Sequence, residues 1–352
     1  MKVGLIEGFY GEDYSWLTRE TLAQFMSQIS LSFYIYAPKS AKHLRRDWRT
    51  RGPVSEMRQL MVFRDHCRKN KIEFGIGLSP YGLHDDWKAD GRADLIQKLH
   101  WLKQLKLDWL AILFDDMPGS YPNLAQTQAD ILKVVTDQQI ASRYLMCPTY
   151  YTDSPILDRL FGERPQNYLE ALGQALDNAV DVFWTGPKVV SKDYPRGHLQ
   201  SVQNRLGRPP FIWDNYPVND GPRMAEFLHI EAPIRPAHNS KQVSGWAINP
   251  MNQGQLSQIP IYAASQSLLA GDSSSISAAT SSAINACLPH PLAGCLVEDY
   301  KAFQTVGLST FSADRKAAYI SRYAEFDHPA ATEIVRWLKG EYVVSADILT
   351  DT

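Results

Sequence analysis

Eight short apolar runs recur along the chain, each ending in Asp, Asn, Lys, Thr, Tyr or Gly and each followed by a longer segment with helical periodicity. They are KVGLIEGFY from Lys2, FYIYAPK from Phe33, KIEFGIGLSP from Lys71, WLAILFDDM from Trp109, SRYLMCPTYY from Ser142, VDVFWTGP from Val180, PFIWDNYP from Pro210 and VSGWAINPM from Val243. Strands alternating with helices imply parallel pairing. Runs as apolar as Trp109 to Phe114 suit a sheet covered on both faces. Eight such units favour a closed (β/α)8 TIM barrel over an open doubly wound sheet. An open sheet would also tend to carry a Gly-rich phosphate turn after an early strand, and GIG at Gly75 to Gly77 is not that fingerprint. A nucleotide cofactor is therefore not expected.

The intervening segments read as amphipathic helices, among them Thr18 to Ser30, Val54 to Asn70, Ala93 to Leu105 and Gln126 to Asp137. In the third of these, Leu95, Leu99, Leu102 and Leu105 recur at spacings of four and three, which puts them on one face against a barrel wall. From about Ile259 the text changes. A Ser-rich stretch at Ser273 to Ser282 precedes helical segments around Ala293 to Val306, Ser312 to Phe326 and Thr332 to Val343. The expected organisation is a catalytic barrel over residues 1–270 and a C-terminal helical appendage over 271–352.

The 352 residues suffice for one barrel with an appendage. The formal net charge of -2, from 36 basic and 38 acidic residues spread along the chain, leaves no footprint for nucleic acid or an anionic membrane. The expected partner is neutral or small. Cys67, Cys147, Cys287 and Cys295 show neither zinc spacing nor disulfide density, so reduced thiols are expected. Glu7 interrupts the apolar stretch from Val3 to Ile6 before a signal-peptide core forms, and no run reaches membrane-spanning length. The chain reads as a compact cytoplasmic protein.

In this architecture active sites gather at the C-terminal ends of the strands. Gly8 and Tyr10 end the first run, Lys39 the second, Asp115 and Asp116 the fourth, Tyr151 the fifth, Thr185 the sixth, Asn215 the seventh and Asn249 the eighth. Two consecutive Asp residues after a buried strand do not serve a core, because an unpaired buried carboxylate is costly. Alternation along a strand would aim them at two different points of a ligand. Repulsion between them would leave one protonated and one ionised near neutral pH, a division that suits general acid catalysis with an electrostatic partner.

Other readings stand beside this one. The aspartates could bind a divalent metal or cap the next helix. Lys39 could form a Schiff base or neutralise an Asp. Trp213 could stack on a sugar or belong to the core. The histidines, His43, His84 and His238 among them, form no HExxH pair, so no zinc site is expected. No GxSxG elbow or Cys/His signature is present. From the residues alone the chain is a barrel hydrolase or lyase with paired carboxylates.

Seven segments say more. EGFYG at Glu7, YAPK at Tyr36 with DWR at Asp47, LFDDM at Leu113, CPTYY at Cys147, FWTGPKVVS at Phe183, WDNYPVND at Trp213 and INPM at Ile248 together resemble glycoside hydrolase family 84, in order over roughly residues 3 to 252. That family holds O-GlcNAc hydrolases and bacterial β-N-acetylglucosaminidases. The resemblance implies a retaining exo-β-N-acetylglucosaminidase in which the substrate's own acetamido oxygen attacks C1 and forms an oxazoline, without cofactor or metal. Enzymes of this substrate-assisted kind depart from the two-carboxylate nucleophile rule. It implies a partner that is an N-acetylglucosamine-containing glycoside or an O-GlcNAc-modified protein.

By motif position, Asp115 is implied to orient the acetamido nitrogen and Asp116 to act as acid, then base. Asp220 and Asn249 resemble residues that hold sugar hydroxyls, with Gly8 and Lys39 nearby. Asn215 and Tyr151 resemble those that steady the acetamido group, and Trp213, Thr185 and Val189 those around its methyl pocket. The sequence departs from the pattern where Ser40 and Ala41 follow YAPK in place of acidic residues, and where Tyr150 precedes Tyr151 in place of a polar residue at the pocket rim. Two competing readings are a non-catalytic N-acetylhexosamine-binding barrel and a metal-dependent barrel enzyme.

Overall fold

The structure, a computed structural model, describes residues 1–235, 242–271 and 274–342; His238, Ser273 and Val343 lie outside the described residues. Its eight strands are β1 (Lys2–Glu7), β2 (Phe33–Tyr36), β3 (Glu73–Leu78), β4 (Leu107–Leu113), β5 (Ala141–Cys147), β6 (Val180–Trp184), β7 (Phe211–Asp214) and β8 (Gly245–Ile248). They pair in sequence order, all parallel, and β8 returns to β1 to close a barrel. Each strand coincides with one of the apolar runs, because a parallel strand covered on both faces leaves little room for polar residues.

The barrel floor explains several glycines. Register sets Gly4 opposite Phe33, Gly75 opposite Trp109 and Gly245 opposite Phe211. A Cβ on these glycines would lie 2.2 Å from Phe33 O, 2.6 Å from Trp109 Cβ and 2.1 Å from the Phe211 ring. Phe33, Trp109 and Phe211 contact one another inside the barrel with centroids 4.9 to 6.0 Å apart. Large rings on some strands and glycine on their neighbours fill a closed barrel that a uniform set of side chains would overfill.

The helices are α1 (Trp16–Gln28), α2 (Val54–Lys69), α3 (Ala89–Leu102), α4 (Leu124–Asp137), α5 (Ile156–Phe161), α6 (Tyr168–Ala175), α7 (Arg196–Leu206), α8 (Gly254–Ser265), α9 (Ile276–Cys287), α10 (Leu292–Thr305), α11 (Ala313–Ala324) and α12 (Pro329–Leu338). Leu95, Leu99, Leu102 and Leu105 are all fully buried, as their spacing requires. The seventh unit departs from the expected alternation. Among the described residues, the connection from β7 to β8 holds a 3-10 turn at Met224–Glu226 and no α-helix. Pro217, Pro222 and Pro233 with Gly221 account for this, since each proline removes a helical donor.

The helices after Gly271 form a second apolar cluster that also takes in Leu228 of that connection and Ile259 of α8. Glu333 on α12 accepts from the backbone N–H groups of Gln255 and Leu256 at 2.9 Å each, capping the start of α8. Trp337 Nε1 donates to Ala225 O at 3.0 Å. Among the described residues no helix is long and apolar enough to cross a membrane. All four cysteines are free.

Candidate active site

A cavity of about 580 Å³ opens at the C-terminal ends of the strands, the size range of small-ligand sites. Asp115, Asp116, Gly8, Lys39, Tyr151, Thr185, Val189, Trp213, Asn215, Asp220 and Asn249 all line it. Every site residue read from the sequence is therefore brought to one place.

The two aspartates diverge for a different reason than strand alternation. β4 ends at Leu113, and Asp116 takes a left-handed backbone with φ of 58°. Asp tolerates that region better than most residues, and the cost recurs where function holds the chain. The turn gives the two carboxylates separate partners. Lys39 Nζ, buried at 4% side-chain exposure, bonds Asp115 Oδ2 closely and lies 3.7 Å from Asp116 Oδ2. Burial works against the Lys39 ammonium, but Asp115 and then Asp116 outweigh it and hold its pKa above the ordinary value. Asp115 Oδ1 is buried with no partner among the described residues.

Asp116 is held by two phenols. Tyr10 donates to its Oδ2 at 2.7 Å and Tyr151 to its Oδ1 at 3.3 Å. Burial, reinforced by Asp116, pushes both phenols above their ordinary pKa, so they stay donors. Cys147 also lines the cavity; burial and then Asp115 push its thiol up, which keeps it protonated and a poor nucleophile.

A chain of hydrogen bonds rings the opposite wall. Gly8 N–H donates to Asn249 Oδ1 at 3.2 Å, and Asn249 Nδ2 donates to Asn215 Oδ1 at 3.0 Å. Trp213 Nε1 donates to the same Asn215 oxygen at 2.9 Å, and Asn215 Nδ2 donates to Val189 O at 3.0 Å. Thr185 N–H donates to Tyr151 O at 3.0 Å. The Tyr10 N–H donates to Asp220 Oδ2 at 3.0 Å, while burial raises Asp220 to about 6. Loops after β1, β6, β7 and β8 are thus tied to one another before any ligand arrives.

The fold shows where the two departures from the family pattern lie. Tyr150 does not reach the rim; it is fully buried, donates to Gly162 O at 2.6 Å and packs against Tyr168. Its hydroxyl anchors the chain just after α5. Ser40 turns to Asp13, donating to its Oδ1 at 2.5 Å, and leaves the Lys39 ion pair undisturbed.

Several lining residues were not read from the sequence. Ile156, Leu157, Leu160 and Phe161 of α5 form an apolar wall, with Leu160 54% exposed. Their helical spacing reads as core packing in sequence. Tyr10 was visible as a strand-end residue, but its bond to Asp116 was not.

Similarity to known proteins accords with this geometry. The family model described as beta-N-acetylglucosaminidase matches residues 3–303. The chain is 30% identical over 238 residues to the protein O-GlcNAcases of Mus musculus and Rattus norvegicus, an alignment covering 64% of this chain and 25% of each relative. It therefore spans about a quarter of the length of those curated relatives. A solved structure of a Thermobaculum terrenum O-GlcNAc hydrolase mutant superposes with a TM-score of 0.77 at 29% identity, covering 96% of this chain and 74% of that one. With a family model matched over most of its length and the motifs gathered around one cavity, the chain belongs to the β-N-acetylglucosaminidase family, glycoside hydrolase family 84.

Proposed function

We propose that this chain is a retaining exo-β-N-acetylglucosaminidase that removes terminal β-linked N-acetylglucosamine, including that carried on protein Ser or Thr, through an oxazoline. The observation that carries the reading is the unequal environment of the two adjacent carboxylates. Asp115 has one oxygen on Lys39 and a buried second oxygen without a partner among the described residues, suited to accept the N–H of an acetamido group. Asp116 is steered by two phenols, suited to transfer a proton.

In the proposed sequence Asp116 gives its proton to the glycosidic oxygen as the acetamido carbonyl oxygen attacks C1 and the C1–O bond breaks. Asp115 accepts the N–H and balances the positive charge that develops on the oxazoline. Asp116 then takes a proton from water as that water opens the oxazoline at C1. Two inversions at C1 retain the configuration. The protein supplies no nucleophile, and the protonated Cys147 fits that absence.

Asn249, Asp220, Gly8 and Lys39 are proposed to hold the sugar hydroxyls, and Asn215 and Tyr151 the acetamido group above the Trp213, Thr185 and Val189 lining. The helices after Gly271 would serve the site indirectly, since Trp337 holds the connection that also carries Asp220. The free thiols fit a reducing, cytoplasmic setting.

The Lys39 ammonium between the two aspartates argues against the metal-dependent reading, because it already supplies the local positive charge. Purified protein with 4-nitrophenyl 2-acetamido-2-deoxy-β-glucoside in excess chelator tests the proposal. Hydrolysis that the chelator leaves unchanged, with the matching glucoside inert, supports it. Loss of turnover on chelation points to a metal enzyme, and tight sugar binding without turnover to a binding protein.

A further inference from the structure

Arg45 lies between β2 and α2 in the run KHLRRDWR. In the fold it is 4% exposed. A buried guanidinium ordinarily meets a carboxylate, since an unpaired buried charge is costly. Arg45 forms no ion pair among the described residues. Its Nη2 instead donates to the Tyr10 hydroxyl oxygen at 3.4 Å, and its Nε is buried without a partner among the described residues. Its guanidinium centre lies 5.9 Å from the Tyr10 ring and 5.5 Å from the Tyr81 ring.

The same Tyr10 hydroxyl donates to Asp116 at 2.7 Å. A phenol that accepts on one side and donates on the other has its hydrogen fixed on the carboxylate. Asp116 needs such a hold, because its left-handed backbone lies beyond the last residue of β4. The loop bearing Arg45 is itself pinned: Ser79 N–H donates to Leu44 O at 2.7 Å, and Trp48 Nε1 to Tyr81 O at 3.1 Å.

We propose that Arg45 is a positioning residue: its guanidinium fixes the Tyr10 phenol, and through it the orientation in which the Asp116 carboxyl meets the glycosidic oxygen. The inference rests on the reading of Asp116 as the acid and base. A misplaced acid hurts substrates that need protonation and spares those that do not, which gives a signature that general structural damage lacks.

The test measures kcat and KM for a methyl and a 2,4-dinitrophenyl glycoside of N-acetylglucosamine with wild type, Arg45→Met, Arg45→Lys, Tyr10→Phe, the Tyr10→Phe/Arg45→Met double variant and Asp116→Ala. Arg45→Met is expected to lose roughly 10- to 100-fold in kcat/KM, which reports the steps up to departure of the aglycone, on the methyl glycoside and less than about threefold on the dinitrophenyl one. Arg45→Lys should recover most of that loss. In the Tyr10→Phe background, Arg45→Met should cost less than about a further twofold. Equal losses on both glycosides, or losses that multiply with those of Tyr10→Phe, overturn the inference. Should Arg45→Met fail to give a cooperative melt by circular dichroism, Arg45→Gln replaces it, with a smaller selective loss expected and an equal loss overturning. Asp116→Ala separates the two levels. If it lacks the leaving-group signature, the acid assignment fails; if it shows the signature and the Arg45 variants do not, only the positioning role fails.

Discussion

Tyr10 and Asp116 are 106 positions apart in the chain and joined by a 2.7 Å hydrogen bond from phenol to Oδ2. The loop after β1 thereby reaches across the barrel mouth to the carboxylate that follows β4. The relationship gives Asp116 a partner set unlike that of Asp115, and the chemistry proposed for the pair depends on that difference.

Asp116→Ala removes the proton donor. Its kcat/KM on a methyl glycoside should fall by roughly 10³-fold or more, and on a dinitrophenyl glycoside by much less, because a good leaving group departs unprotonated. Steady-state assays on the two substrates check this, and equal losses would count against the acid role.

Asp115→Ala removes the group proposed to meet the acetamido N–H, so both substrates should lose at least about 10²-fold alike. Lys39→Met leaves the buried Asp115 carboxylate without its ammonium, and the folded state should lose about 3 kcal/mol at pH 7, measured by urea unfolding. An unchanged unfolding midpoint would mean that the pair carries no stability.

Asp220 is raised from an ordinary 3.8 to about 6, chiefly by burial, with the Tyr10 N–H opposing and Asp116 adding. As pH falls through about 6 it takes up a proton and becomes a weaker acceptor for sugar hydroxyls, so kcat/KM should drop on that side. Asp220→Asn should abolish that limb while lowering the plateau. For stability the sign is opposite to that of a salt-bridged carboxylate. The folded state binds the proton more tightly, so stability present below about 3.8 is lost as pH rises to about 6. Asp220→Asn should therefore raise the melting temperature relative to wild type above pH 6 and leave it unchanged in acid.

The fold was legible because parallel strands buried on both faces write themselves as apolar runs, and Leu113 to Asp116 announces a strand end by placing two charges after such a run. Roles within the site came from motif resemblance, because spacing alone left metal binding and catalysis both open. Arg45 was not legible. Its burial depends on the 40s loop docking against the end of β3 through the Ser79 to Leu44 bond, a contact between segments that no local pattern encodes. The α5 wall was hidden for the converse reason, since Leu157 and Phe161 are buried like core and only Leu160 protrudes. That the described residues between β7 and β8 form no α-helix was foreshadowed by the prolines there, but the regularity of the other units masked it.

Gly8 is a steric prediction. A Cβ there would lie 2.5 Å from Trp213 Cζ2, and Trp213 is backed by Phe183 with ring centroids 5.1 Å apart. Gly8→Ala should raise KM and lower kcat/KM by about tenfold or more as the tryptophan is displaced into the cavity. Unaltered kinetics would show that the wall yields more easily than its packing implies.

The central claim is that the substrate's acetamido oxygen is the nucleophile. Rates for aryl 2-acyl-amino-2-deoxy-β-glucosides carrying acetyl, monofluoroacetyl, difluoroacetyl and trifluoroacetyl groups test it most directly, since each fluorine withdraws electrons from that oxygen. A steep fall in kcat/KM along the series is the predicted result; measurable hydrolysis that does not respond to fluorination would contradict it.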